Sequence, residues 1–137
     1  MFDCSDPYEY CPRELAVHVT SHHFDRAAGY NENNAGFGFK WRKSNGRLFV
    51  TVGTFRNSLE KTSTYSGTGG DWPLAGPLSL RVTAGLVTGY EVLVVPFVFP
   101  ELLVGEKTGL ALGYAPRIEL GDAVVDSFLS LSLFKRF

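Results

Sequence analysis

Apolar and polar positions alternate with a period of two along most of the chain. In the segment 78–86, Leu, Val and Ala occupy every second position, and Arg81 and Thr83 lie between them. The same alternation recurs at 15–19, 37–42, 48–55 and 129–133. A period of two places successive side chains on opposite faces of an extended strand. The pattern therefore predicts β-strands, and no segment has the periodicity of a helix.

Turn signals divide the chain into about eight strands. The clearest of them, Ser44-Asn45-Gly46, predicts a hairpin. Other turns are predicted at 31–34, 67–73, 105–107 and 121–122. The predicted strands span 14–24, 36–43, 47–56, 61–67, 78–89, 92–104, 108–118 and 124–135. Short connections between consecutive strands favour an all-β fold, an antiparallel up-and-down meander that closes into a small β-barrel.

The polar face of these strands is rich in small residues and carries a few charges, among them Lys40, Arg42 and Arg81. Small residues suit the narrow lumen of an eight-stranded barrel, or an outer face that another molecule covers. An apolar exterior around a small or polar interior is typical of outer-membrane barrels, which also carry aromatic girdles. Aromatic residues available for such girdles are Phe37, Trp41, Tyr65 and Tyr90.

The segment Val92–Val104 favours a different environment, because it is apolar on both faces and contains Pro96 and Pro100. Each proline lacks a backbone donor, which is typical of an edge strand, a bulge or a partly open barrel. An apolar edge would need a covering partner, such as a second copy or another subunit of an assembly. We therefore expect Pro96, Phe97 and Phe99 to contribute to a protein interface.

Composition excludes several classes of function. The 137 residues suit one domain, and the net charge of −1 without a basic stripe argues against nucleic-acid binding. Residues 1–13 are predicted to form an extension, in which Cys4 and Cys11 form a small disulfide loop or stay free thiols, and 14–137 form the barrel. The first residues do not have the pattern of a signal peptide. No motif indicates a cofactor.

Residues 18–41, HVTSHHFDRAAGYNENNAGFGFKW, hold the strongest candidate chemistry. On one strand, His18 and His22 point the same way but lie about 13 Å apart at ~3.3 Å per residue. His22 and His23 point to opposite faces. Because neither pair can share one ion without further ligands, no metal site is predicted.

Two interpretations of this segment remain. A hydrolytic site would use His22 or His23 with Asp25 or Glu32, and Ser58 or Ser66 from a neighbouring strand. No nucleophile motif accompanies them, so we favour a protein that is not an enzyme. The alternative is a polar rim at a barrel end, where any ligand or partner would bind. The rim residues are His22, His23, Asp25, Arg26, Asn31, Glu32 and Asn34. His18 would then be a hydrogen-bonded residue on the crowded face, and Lys40 and Arg42 would pair with Glu14 or Glu32.

Three stretches, SHHFDRAAGYNENNAGFGFKW, VGTFRNSLEKTSTYSG and AGLVTGY, resemble a group of small β-barrel proteins found in bacteria and encoded by phages. The resemblance covers roughly residues 18–118. The matching positions are His23, Asn31, Glu32, Asn34, Gly36, Gly38, Asn57, Ser58, Ser63, Tyr65, Gly67, Thr88, Gly89 and Tyr90. The group has no established activity, so the resemblance implies no catalytic role. It implies a structural or interaction protein, such as a phage virion or tail component.

A weaker resemblance links HHFDRAAGYNENNAG to lipid A-modifying outer-membrane barrels, including lipid A deacylases. Phe24 and Asp25 stand where the deacylase serine would be expected, and the stretch lies in the first hairpin instead of near the C-terminus. Three hypotheses follow. The first is a non-enzymatic structural or interaction protein, such as a phage virion or tail component, which binds protein subunits in a virion or the cell envelope. The second is a small outer-membrane barrel that binds or deacylates lipid, with His23, Asp25 and Glu32 as its candidate catalytic residues. The third is a soluble lipocalin-like carrier, which needs an apolar lumen large enough for a ligand and which no feature of the sequence requires.

Overall fold

The computed structural model describes most of the chain. The described residues are 11–23, 33–42, 47–56, 61–89, 94–116, 118–120, 123–125 and 127–137. The strands are β1 (Cys11–His23), β2 (Asn33–Arg42), β3 (Leu48–Arg56), β4 (Thr62–Ala75), β5 (Leu78–Val87), β6 (Val95–Gly105), β7 (Thr108–Ala115), β8 (Ile118–Leu120), β9 (Ala123–Val125) and β10 (Phe128–Arg136). Within this described part, no helix is long and apolar enough to cross a membrane.

Eight of the described strands close into one barrel, in the order β1-β10-β7-β6-β5-β4-β3-β2. All neighbouring strands are antiparallel, and β1 meets β10 along a register that runs from Glu14 opposite Arg136 to His23 opposite Phe128. Alternation along the chain predicted this all-β meander and its closure, and both are confirmed. The segment between β7 and β10 differs from the prediction, because it contains the short hairpin of β8 and β9.

The apolar face of the strands points outward, and the polar face points into the lumen. Large apolar side chains exposed on the outside include Val17, Phe37, Val50, Leu80, Leu86, Val98, Leu102, Leu112, Leu129 and Leu133. Buried polar side chains include Glu14, Lys40, Thr51, Asp71, Arg81, Thr83 and Ser132. This is the reverse of the usual distribution in a water-soluble domain. Tyr65, which we expected in an aromatic girdle, points inward, where its hydroxyl meets His18.

Glycines make room for aromatic side chains inside the barrel. Gly38, Gly53 and Tyr65 lie directly opposite one another on β2, β3 and β4. A Cβ atom added at Gly53 would overlap the Tyr65 ring, and one added at Gly38 would overlap its hydroxyl. Phe49 lies opposite Gly69 and would collide with a side chain there in the same way. The small residues on the polar face are therefore required by the narrow lumen, as expected for eight strands.

The predicted turn at 67–73 is wrong. Strand β4 continues through it to Ala75, and Gly67, Gly69 and Gly70 all pair with β3 and β5. A Cβ atom at Gly67 would meet the backbone of Ala84 on β5. These glycines permit close approach of neighbouring backbones and do not mark a reversal. The reversal follows at Gly76, whose φ of 54° lies in the left-handed region that glycine favours.

Strand β6 is not the open edge that its two prolines suggested, because it pairs with β5 on one side and β7 on the other. The pairing with β7 covers Glu101–Gly105, whereas Pro96 and Pro100 precede it and lie opposite β5. The prolines therefore occupy the half of the strand in which a missing backbone donor costs least.

The two ends of the barrel differ in the lengths of their connections. At one end, which we call the turn end, Gly76-Pro77 joins β4 to β5, Glu106-Lys107 joins β6 to β7, and residues 43–47 join β2 to β3. The beginning of β1 and the end of β10 lie at this same end. At the opposite end, called the loop end, the connections are 24–32, 57–61, 88–94 and 116–127.

Candidate functional site in the barrel lumen

The three described positions of the predicted polar rim lie at the loop end. His22 and His23 end β1 opposite Leu129 and Phe128, and Asn34 lies near the start of β2. Asp25, Arg26, Asn31 and Glu32 lie outside the described residues. The structure therefore describes only the strand positions of the rim, and hydrolysis by His23, Asp25 and Glu32 stays a prediction. The Cys4–Cys11 loop also lies outside the described residues.

The three predicted interface residues on β6 face different ways. Pro96 is exposed on the outside of the barrel. Phe97 and Phe99 are half-buried and line the lumen. Successive side chains of an extended strand point to opposite faces. Phe97 and Phe99 are two positions apart and share the inner face, whereas Pro96 lies on the outer one.

Arg81 is the centre of a buried set of charges in the lumen. Its guanidinium donates from Nε to Asp71 Oδ1 at 2.7 Å and from Nη1 to Glu14 Oε1 at 2.7 Å. Nη2 donates to the second oxygen of each carboxylate at 2.8 Å. Arg81 and Glu14 are each only 1% exposed. Two bidentate pairs of this kind use the planar fork of arginine fully.

Further cations surround this centre. Arg42 Nη2 donates to Asp71 Oδ2 at 2.8 Å, Arg136 Nε lies 3.5 Å from Glu14 Oε2, and Lys40 Nζ lies 3.9 Å from Glu14 Oε1. The guanidinium of Arg81 also lies 5.1 Å from the centre of the Phe49 ring. We call Glu14, Lys40, Arg42, Asp71, Arg81 and Arg136 the ion cluster.

The ion cluster fills the lumen near the turn end. Charges removed from water are costly unless they are paired and hydrogen-bonded, and here opposite charges from β1, β2, β4, β5 and β10 meet. The expected pairing of Lys40 and Arg42 with Glu14 is present, at 3.9 Å in each case. Sequence reasoning missed Asp71 because the segment 67–73 was assigned to a turn, whereas Asp71 lies on β4 directly opposite Arg81. It missed Arg136 because only the closing pair of strands, β1 and β10, brings this residue to Glu14.

A chain of three polar side chains lies nearer the loop end. His18 Nδ1 is 2.9 Å from Ser132 Oγ, and His18 Nε2 is 2.8 Å from Tyr65 Oη. In a neutral imidazole one ring nitrogen donates and the other accepts, so one hydroxyl accepts from His18 and the other donates to it. His18 is thus the hydrogen-bonded residue that its place on the crowded face predicted.

A cavity of about 160 Å³ lies between the ion cluster and the loop end. Aromatic and aliphatic side chains form much of its wall, including Phe55, Val87, Val95, Phe97, Phe99, Ala111 and Phe128. Lys40, Arg81 and Glu101 line it on the side of the ion cluster, and His18 and Ser132 line another part of the wall. The lumen therefore combines an apolar chamber with a charged floor. Among the described residues, no group of three His, Cys, Asp or Glu side chains is placed to hold a metal ion.

Comparisons with known proteins concern the fold. No protein-family model matches the chain, and no curated protein matches it in sequence. A de novo designed transmembrane β-barrel superimposes with a TM-score of 0.63 at 14% identity, over 92% of this chain and 96% of that one. The outer membrane protein Ail of Yersinia pestis gives 0.59 at 14% identity, over 93% and 100%. The N-terminal β-barrel domain of OprF from Pseudomonas aeruginosa gives 0.57 at 10% identity, over 93% and 99%.

These matches cover nearly the whole length of every chain compared, so the shared feature is the complete barrel. The resemblance to phage-encoded proteins, and the virion or tail role that it implied, have no support in these comparisons. The chain is a small eight-stranded β-barrel that resembles outer-membrane β-barrels.

Proposed function

We propose that this chain is a small outer-membrane β-barrel that spans the bilayer and whose lumen the ion cluster closes. The observation that carries the proposal is the apolar exterior. Val98, Leu86 and Leu112 are 54%, 52% and 52% exposed, although charged side chains such as Glu14 and Arg81 are buried inside the barrel. Water would make such an exterior costly, whereas lipid makes it favourable.

The two ends of the barrel give independent support. Outer-membrane barrels of bacteria have short turns on the periplasmic side and longer loops on the outer side. Here two of the three connections at the turn end, Gly76-Pro77 and Glu106-Lys107, have two residues each, and the third, 43–47, is as long as the shortest connection at the loop end, 57–61. The other loop-end connections are longer. The likeness to Ail, an outer membrane protein whose structure is known in a phospholipid bilayer nanodisc, agrees with this proposal.

A charge placed on the apolar exterior tests the proposal. We expect Leu112→Arg to lower the free energy of unfolding in phosphatidylcholine liposomes by about 2–4 kcal/mol, because its side chain lies midway along β7 and would meet lipid. Urea titration, followed by the heat-dependent change in electrophoretic migration of folded barrels, measures this loss.

Glu106→Arg is the matched control, since Glu106 is exposed in a turn outside the strands. It should change the free energy of unfolding by less than about 0.5 kcal/mol. A monomer that is folded in plain buffer, and in which both substitutions have equal effects, would contradict insertion into a membrane.

A further inference from the structure

We propose that the lumen cavity binds a small amphiphile with one carboxylate, which lies at Lys40 while its apolar body lies among the phenylalanines. The volume supports a ligand of this size, because an apolar cavity of about 150 Å³ holds a benzene-sized molecule. The cavity here measures about 160 Å³. Benzoate, a single ring with one carboxylate, has the required form and serves as the probe.

Lys40 is the group that recognises the carboxylate. Its side chain is buried and lines the cavity. Its ammonium lies 3.9 Å from Glu14 Oε1 and 5.7 Å from the centre of the Phe49 ring, both beyond hydrogen-bonding distance. Glu14 accepts much closer bonds from Arg81. Among the described residues, the Lys40 ammonium thus has one long ion pair, to Glu14, and one cation–π contact, to Phe49. A ligand oxygen within hydrogen-bonding distance would give it a closer partner.

The charge of the lumen favours an anion. Its described cations are Lys40, Arg42, Arg81 and Arg136, and its described carboxyl groups are Glu14, Asp71 and Glu101. Cations therefore exceed carboxyl groups by one. Glu101 lines the cavity beside this floor and would repel a bound anion. The site should consequently accept one carboxylate and reject a dicarboxylate.

The rest of the wall suits the ring of the ligand. Phe55, Phe97 and Phe99 present aromatic surface to the cavity, and Val87 and Val95 add aliphatic surface. The side chains of Ser132 and Tyr65 both hydrogen-bond to His18. These polar groups therefore do not require hydrogen bonds from the aromatic ring of the ligand. Shape and polarity together favour a ligand that is apolar except at one end.

The test is a titration of the barrel in phosphatidylcholine nanodiscs with benzoate and, separately, with neutral benzyl alcohol. Methyl resonances of Val87 and Val95 report occupancy. We expect saturable shifts with benzoate, and Lys40→Met should weaken its binding about tenfold or more while changing that of benzyl alcohol less than about twofold. Glu101→Gln keeps the size of the side chain and removes its acid group, so it should not weaken benzoate binding and should tighten it where the carboxyl is ionised.

Two control pairs separate charge and volume from general damage. Lys135→Met removes an exposed charge on β10 and should leave binding unchanged. Ala111→Phe should fill the cavity and abolish binding of both probes, whereas Leu112→Phe, which faces outward on the same strand, should not. If Lys40→Met does not fold, the comparison of benzoate with benzyl alcohol and the Glu101→Gln variant still test the role of charge. Ala111→Phe still tests whether the probes bind in the cavity.

The proposal is overturned if neither probe shifts the methyl resonances, or if Lys40→Met folds and binds benzoate like the wild type. It fails separately from the membrane proposal. A barrel that stays out of lipid but binds benzoate in buffer would contradict only the membrane proposal.

Discussion

At the scale of single residues, the interior charges depend on one another because Arg81 and Glu14, at the centre of the cluster, are almost completely buried. Arg81 contacts both Glu14 and Asp71 through four hydrogen bonds, whereas Arg42 contributes one short bond to Asp71 and is partly exposed. Removing the central partner leaves two carboxylates buried with weaker partners, and removing the outer partner leaves Asp71 still held. The two arginines therefore differ in importance despite belonging to one cluster.

We expect Arg81→Met to lower the free energy of unfolding by about 3–5 kcal/mol, the usual range when one member of a buried ion pair is lost. Arg42→Met, the same substitution in the same cluster, should cost about 1 kcal/mol, as for a partly exposed pair. Urea titration in phosphatidylcholine liposomes measures both. Equal losses would mean that Arg81 does not organise the cluster.

Sequence reasoning recovered part of this site. The charges on the polar face at Lys40, Arg42 and Arg81, and the partnership with Glu14, could be inferred because alternation and the first hairpin are local features. The contact of Arg81 with Glu14 spans 67 residues, and that of His18 with Ser132 spans 114. Contacts of this kind follow from strand order and barrel closure, which no local pattern specifies.

At the scale of strands, alternation predicted where most elements lie but not which face is outside. A period of two is equally compatible with an apolar core and an apolar exterior. Glycine misled the prediction in β4, where Gly67, Gly69 and Gly70 were assigned to a turn. In this barrel a strand glycine accommodates an aromatic ring or a neighbouring backbone, and only the three-dimensional register distinguishes that role from a reversal.

The packing of Tyr65 against glycine gives a prediction for the strand. Gly53→Ala should destabilise the barrel by about 1–3 kcal/mol, because the new methyl group overlaps the Tyr65 ring and forces it to move. The matched control is Gly70→Ala on β4, where an added Cβ lies 3.2 Å from the end of the Trp72 side chain, the nearest atom.

Replacing glycine by alanine usually stabilises by about 0.4–1 kcal/mol where the conformation is compatible, so Gly70→Ala should be neutral or favourable. The measurement is the midpoint of urea unfolding for both variants. Destabilisation of the same size at both positions would show that strand propensity, and not contact with Tyr65, determines the result.

At the scale of the whole molecule, side chains fill the lumen near the turn end of the barrel, and a cavity remains toward the loop end. Eight strands leave an interior just wide enough for side chains to fill. Near the turn end, the ion cluster and Phe49 occupy it, and the cavity of about 160 Å³ lies toward the loop end. A barrel of this kind should hold small molecules without passing ions.

We therefore expect the wild-type protein to give no stepwise ion current in a planar phosphatidylcholine bilayer. The double substitution Glu14→Ser and Arg81→Ser should produce small current steps, because it removes two of the largest buried side chains of the ion cluster as an oppositely charged pair. The control is the double substitution Leu110→Ser and Leu112→Ser, which also changes two side chains to serine but on the outer face of β7. It changes the lipid-facing surface without opening the lumen, so it should stay silent. Current through the wild type would mean that the ion cluster does not close the lumen, and silence of a folded double variant would place the barrier at Phe49 or elsewhere along the barrel.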